Sequence, residues 1–253
     1  PGRWYLETYR QYNLAALERQ FRVAWCETER SDVYYRRLPG GFTATPQGRV
    51  IFFIDVKGVQ RGWQGRVPEC ETDAGLAKWF FHPHTRRWEK VLTRPDLETK
   101  WQPLPDYAGW DMPKYIIGRG TLRNQVLMGY DTAVQWNATT RPGQPSVAVV
   151  TEGALDAGRV GSPGIAMLGK FMSAHQAALL ANAFSVLIYV AQNDEAGRSA
   201  KGRVAQAMQA HPHVRLHFAD VTKVKDMGEM PRPAARGLVH SAFGLWQTED
   251  QYA

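Results

Sequence analysis

SVAVVTE, residues 146–152, is the stretch whose reading decides the fold. Its small and β-branched residues form a run too short for a helix of ordinary length. They predict a buried strand, with a turn opening at Glu152-Gly153. A carboxylate therefore stands at the carboxyl end of that strand. The stretch SVLIYVA, residues 185–191, repeats the design and delivers Asp194 to the equivalent place, where Glu195-Ala196-Gly197 leads into a helix. Open parallel α/β sheets bind ligands in the crevice outside the carboxyl ends of their strands, so two acids placed this way say more about chemistry than either would alone.

Outward from these strands the pattern is regular. Strands are expected at 146–151, 164–168, 185–191 and 214–219, alternating with helices at about 154–160, 173–183 and 197–210. Ser173 is a suitable N-cap and Pro163-Gly164 a turn. Connections this short predict right-handed crossovers and a small parallel sheet with helices on both faces. VTKVKDMGEM, residues 221–230, reads as a loop, and 233–246 as a closing helix. TTRPGQP, residues 139–145, is the best boundary in the chain. The expected division is an amino-terminal α/β part at 1–145, the parallel-sheet domain at 146–230 and a helical segment at 231–253.

Upstream, residues 4–30 carry apolar positions at helical spacing and suggest an amphipathic helix or a broken pair, a packing role. Residues 48–55 predict a buried strand and 60–66 its hairpin partner, which brings Arg49, Arg61 and Arg66 together on one small sheet. A second hairpin is expected from 78–81 and 88–92 across His82-Pro83-His84-Thr85. With no third His or partnering Cys, that segment reads as a solvated turn rather than a metal site. Residues 95–113, rich in Pro, Trp and Asp, read as an irregular connection. Arg119 and Arg123 follow in a glycine-bearing loop, then a short strand and helix at 126–136.

The 253 residues suffice for two cores, and 44% hydrophobic content argues against general disorder. No apolar run approaches the roughly 20 residues that span a bilayer, so a soluble protein without a membrane partner is expected. Cys26 and Cys70 have no paired spacing, which argues against a zinc knuckle or a disulfide framework and agrees with a reducing cytoplasm. The first residue, Pro1, without a leader, suggests a processed product or an excised piece. A net charge of +7, from 31 Lys and Arg against 24 acids, favours a polyanionic partner without deciding it.

The acids define the candidate chemistry: Glu152, Asp194, Asp226 in the loop after the fourth strand, and Asp156 one helical turn beyond Glu152. Carboxylates around a crevice suit Mg²⁺, which prefers hard oxygen ligands and is commonly shared with phosphates. Metal-assisted phosphoryl transfer is the natural expectation, with nearby Lys and Arg holding phosphates. For Asp156 and Glu195, stabilisation of a helix start is a sufficient alternative. For Glu152, preceding Gly153 at a strand end, function is the better reading.

VVTEGALD (149–156), NDEAGR (193–198) and Lys225-Asp226 together resemble the Toprim domain of bacterial-type primases, topoisomerases and some nucleases, and the first two pieces are closest to primases. The upstream half agrees: GRVIFFIDVKGVQRGWQGR (48–66) resembles a signature of the primase amino-terminal subdomain, and Pro113-Lys114-Tyr115 with LMGY (127–130) resembles the next. The resemblance covers roughly residues 30–230. It implies an α+β amino-terminal subdomain followed by a Rossmann-like Toprim domain. It also implies an RNA polymerase core that makes short RNA primers from ribonucleoside triphosphates on single-stranded DNA, using Mg²⁺ or Mn²⁺, often with a replicative helicase. The KDMGE stretch (225–229) is more similar to the phage and plasmid branch.

By this resemblance Glu152 is the catalytic glutamate, Asp194 and Asp226 join it as metal ligands, and Asp156 supports it. Arg49, Arg66, Lys114 and Arg123 match basic positions for nucleotide phosphates or template. Lys170 is a further candidate, with a solvated loop lysine as the equal alternative. Two departures stand out. Gln192 replaces the first acid of the usual Asp-x-Asp, so affinity for a second Mg²⁺ is expected to fall. Gly228 stands where another acid often follows Asp226, with Glu229 as the acid that would reach in its place. No zinc module can be built from two isolated cysteines, and no Walker A motif is present. The leading expectation is a primase catalytic core; the alternative is a catalytically impaired nucleotide- and nucleic-acid-binding module that modulates a helicase.

Overall fold

The computed structural model describes residues 5–26, 36–37, 43–44, 49–66, 69–72, 75–82, 87–93, 115–118, 120–222 and 224–244. The expected irregular connection at 95–113, Lys114, Arg119 and the turn at 83–86 with His84 lie outside them. The chain divides into two units. The first comprises Pro1–Leu14, Val23–Phe53 and Gly62–Thr121, and the second Ala15–Arg22, Ile54–Arg61 and Leu122–Ala253.

In the first unit a short π-helical turn, Tyr5–Tyr9, precedes strand β1 (Val23–Cys26). Two-residue strands β2 (Arg36–Arg37) and β3 (Thr43–Ala44) pair with each other. The hairpin of β4 (Arg49–Val56) and β5 (Val59–Arg66) is the expected one, with Lys57 and Gly58 both at positive φ in its turn. Its tip, Ile54–Arg61, belongs to the second unit. Strands β6 (Glu69–Thr72), β7 (Gly75–His82) and β8 (Arg87–Thr93) form a three-stranded antiparallel sheet, with Phe81 opposite Trp88. β9 (Tyr115–Ile117) completes an antiparallel sheet of order β1-β4-β5-β9.

Residues 4–30 thus hold more than a helix pair. Helix α1 (Leu14–Phe21) is real, but Arg22 turns into the left-handed region (φ 48°) and ends it, and Val23–Cys26 pairs antiparallel with β4. Trp25 lies at helical spacing from Phe21, and in four residues a strand has no room to display its own period.

The second unit is the α/β part. Helix α2 (Tyr130–Thr140) leads to β10 (Val147–Thr151), α3 (Ala154–Val160), β11 (Gly164–Ala166), α4 (Ala174–Ala183), β12 (Val186–Ala191), α5 (Glu195–Met208), β13 (Arg215–Asp220) and α6 (Arg232–Phe243). The strands form a wholly parallel sheet of order β11-β10-β12-β13. Every residue of β10 and β12 is buried, which is why both read as unbroken apolar runs instead of alternating ones. On one face Val147, Val149, Ile188 and Val190 pack with Val160 of α3 and with Ala235 and Val239 of α6. Each such Val or Ile side chain contributes about 1.5–3 kcal/mol by leaving water. Side chains alternate along a strand, so Tyr189 projects to the other face, where it meets Phe218 edge to face. There Lys201 of α5 lies over Phe218. Helices on both faces and acids at the strand ends match the expected α/β architecture.

Polar side chains tie the layers where backbone groups would otherwise be orphaned. Asn137 of α2 brackets the start of β10, accepting from Val147 N at 2.7 Å and donating to Val147 O at 2.8 Å. Ser173 caps α4 in a full capping box with Gln176, as its position suggested.

Candidate functional site

The site lies at the carboxyl ends of β10, β12 and β13, and the local turns decide where each acid points. Glu152 follows β10 directly and is 7% exposed, with Oε1 buried and without a hydrogen-bond partner in the protein. Burial pushes its carboxyl above the usual range; Lys170 pulls it down, while Asp194 and Asp226 push it further up. The Tyr189 hydroxyl comes close enough to favour the ionised form but falls short of a normal hydrogen bond, so Tyr189 Oη is also without a partner. Burial, with Glu152, Asp156 and Asp194 nearby, holds Tyr189 well above the usual tyrosine range, so it stays neutral.

Asp194 is the N-cap of α5, its Oδ1 accepting from Gly197 N at 2.6 Å. Gly197 is required there, because a Cβ would stand 2.2 Å from Gln192 O. The other oxygen, Oδ2, faces Lys170 Nζ at 3.8 Å. Asp156, 7% exposed on α3, accepts from Gly228 N at 2.8 Å through Oδ1. Asp226 precedes the short turn Met227–Glu229. That loop is held by Asn193, whose N donates to Lys225 O at 2.9 Å and whose Nδ2 donates to Thr222 O at 3.0 Å. Glu229 is exposed and accepts from Lys225 N at 3.1 Å, a bond that steadies its own loop.

The structure thus brings Glu152, Asp194, Asp226 and Lys170 into one electrostatic neighbourhood, with Asp156 beside it. Arg123, in the turn Arg123–Gln125, places its guanidinium near Gly169, where a Cβ would lie 3.8 Å from Arg123 Cζ. Arg49 and Arg66 belong to the first unit, and each is only 2% exposed. Burial pulls Arg49 down to about 9, still a cation at neutral pH. Arg66 donates Nε to Tyr5 Oη at 2.6 Å and Nη1 to Tyr115 Oη, and its guanidinium lies over both rings.

Carboxylate oxygens, one of them buried without a partner, are the donor chemistry a hard divalent cation takes. Yet among the described residues no three His, Cys, Asp or Glu side chains come together as a group that could hold a metal ion. The donor type fits such a cation.

Two contributors escaped the sequence reading. Tyr189 is the one hydroxyl in an otherwise aliphatic buried run, and a buried phenol needs a polar destination; that was the available signal. Arg159, 5% exposed, donates to Gly228 O at 2.9 Å and so fixes the loop beside Asp226; nothing in its spacing announced this. Gly228 itself, noted only as a missing acid, has a positive use. A Cβ there would meet Asp156 Oδ1 and Asp226 Oδ1, each at 3.1 Å.

No protein-family model matches the chain, and no curated protein matches it in sequence. Solved structures do. The E. coli primase catalytic core superposes with a TM-score of 0.62 at 19% identity, over 95% of this chain and 72% of that one. The DnaG primase catalytic domain bound to single-stranded DNA gives 0.62 at 18%, over 95% and 71%. A DNA primase domain from Pseudomonas aeruginosa gives 0.60 at 16%, over 92% and 69%. The chain spans about two thirds of the length of such structures, 66% for one DnaG catalytic core. Among the described residues no helix is long and apolar enough to cross a membrane. At 16–20% identity the likeness establishes the fold, which is that of DnaG-type primase catalytic cores.

Proposed function

We propose that the chain is a nucleotide- and single-strand-binding module on the primase-core fold, impaired in catalysis, that works beside a replicative helicase. The observation that carries this reading is the acidic crevice: Gln192 replaces an acid, Lys170 faces Asp194 at 3.8 Å, and no metal-holding group of side chains is closed among the described residues. A lysine at an acid pair offsets charge that a divalent cation would otherwise neutralise, and it presents an ammonium to a phosphate. Lys170 and Arg123 are the cations of the second unit in this reading. The KDMGE stretch (225–229) supports a place in the phage and plasmid branch.

A second reading, DNA-templated RNA primer synthesis with Mg²⁺ or Mn²⁺, is favoured by the unpartnered buried Oε1 of Glu152 and by its electrostatic coupling to Asp194 and Asp226. In that reading Glu152, Asp194 and Asp226 would hold the cation, Asp156 would support Glu152, and Arg49, Arg66 and Lys114 would serve nucleotide or template. The bound cation would supply charge neutralisation on the triphosphate.

One experiment separates the two. Binding of a labelled single-stranded oligonucleotide and of a fluorescent ribonucleoside triphosphate is measured beside primer synthesis in Mg²⁺ and in Mn²⁺. Binding without product is the expected result. Product that disappears in Glu152→Gln while binding persists would overturn the binding-module reading in favour of the catalytic one.

A further inference from the structure

Phe171 is the most exposed large apolar side chain among the described residues, at 60%, and charges surround it. The guanidinium of Arg203 lies over its ring, Cζ 4.2 Å from the centroid, and Arg203 Nη2 donates to Ser199 Oγ at 2.7 Å. The next residue back, Lys170, faces Asp194, and Arg123 lies near Gly169.

The loop bearing Phe171 is pinned at many points. Met167 N donates to Thr151 O at 3.0 Å, and Gly169 N to Glu152 O at 3.2 Å, so the loop is laced to the acid-bearing strand end. Gln176 Nε2 donates to the carbonyls of Arg123 (3.1 Å), Val126 (2.9 Å) and Met167 (3.1 Å), and Ser173 Oγ donates to Asn124 O. Leu168 is held at φ 61°, a conformation a leucine adopts at a cost. This scaffolding fixes an apolar ring in water beside cations.

An aromatic ring backed by a guanidinium and flanked by positive side chains suits a flat π-face with phosphates attached. Bases of a duplex are already stacked on one another, so an unpaired base is the matching partner. We propose that Phe171, backed by Arg203, is a stacking platform for an unpaired nucleobase, with Lys170 and Arg123 holding the adjoining phosphates. This deepens the binding-module reading and rests on it.

The test uses the whole chain, fluorescence anisotropy and two probes: a labelled single-stranded oligonucleotide and a labelled ribonucleoside triphosphate. Phe171→Ala is expected to weaken binding by about tenfold while leaving the salt dependence of affinity unchanged, because stacking carries no counterion release. Phe171→Trp is expected to keep the affinity. Lys170→Gln is expected to lower the salt slope by about one. An oligonucleotide with abasic positions removes the stacking partner and should bind wild type and Phe171→Ala alike. Loss in either probe's arm supports the platform, and the arm in which it appears identifies a strand or a free nucleotide as the source of the base. If wild type binds and Phe171→Ala matches it in both arms, with unchanged circular dichroism, the platform is overturned alone. If wild type binds neither probe, the binding-module reading falls with it.

Discussion

The carboxyl ends of the parallel sheet and the strands of the antiparallel sheet both bury charge, in opposite ways. Arg66, 2% exposed, donates hydrogen bonds to two tyrosine hydroxyls and has two rings facing its cation. Glu152, 7% exposed, keeps a buried oxygen with no partner and has two other acids acting on it. The first arrangement is complete in itself. The second leaves one carboxylate oxygen without a hydrogen-bond partner, with Lys170 as the cation that acts on it.

The comparison predicts its largest effect at the satisfied charge. Arg66→Ala removes the partner of two tyrosine hydroxyls and is expected to destabilise the protein by about 2–4 kcal/mol in urea unfolding. A loss below about 0.5 kcal/mol would mean that Arg66 is not architectural. Next comes the packed edge of the acid crevice. Gly228→Ala places a methyl 3.1 Å from both Asp156 Oδ1 and Asp226 Oδ1, and the expected cost is about 1–3 kcal/mol, with weakened nucleotide binding. Unchanged melting and binding would show that the loop has slack the close contacts deny.

The smallest effect, and the most informative in sign, is at Glu152. Its folded pKa is raised, so the folded chain holds that proton more tightly than the unfolded chain does. The stability this supplies is fully present below the ordinary glutamate pKa and is lost as pH rises through the raised value. Glu152→Gln should therefore melt above wild type at neutral and alkaline pH, with the gap closing on acidification. A gap that is absent or reversed across that range would show that the ionised carboxylate is satisfied after all. Adding Mg²⁺ sharpens the point: if the crevice takes the ion, wild type should gain melting temperature and Glu152→Gln should not.

Much of the parallel sheet was legible in the sequence, and the reason is its burial. Strands covered on both faces read as unbroken, largely apolar runs, so β10 and β12 were visible within a residue of their ends, and Ser173 with Gln176 spelled a helix start. Short half-covered strands such as Val23–Cys26 were not visible, because pairing with β4 and not local period forms them. The basic hairpin showed the same limit. Its arginines were legible as charges, but the destination of Arg66 depends on Tyr5 and Tyr115, which are remote in sequence.

The sequence by itself determined which residues stand at strand ends, because a strand's length and its first turn are local matters of side-chain shape and glycine placement. It therefore predicted Glu152 and Asp194 just beyond strand ends, with Asp226 in the loop after the fourth strand. Only the tertiary structure decided what each oxygen does there. One oxygen of Asp194 caps a helix and the other faces Lys170; Asp156 holds a loop through Gly228; Glu152 retains a buried oxygen without a partner. Hydrogen bonds between distant segments make those assignments, and their directionality leaves no trace in the spacing of residues along the chain.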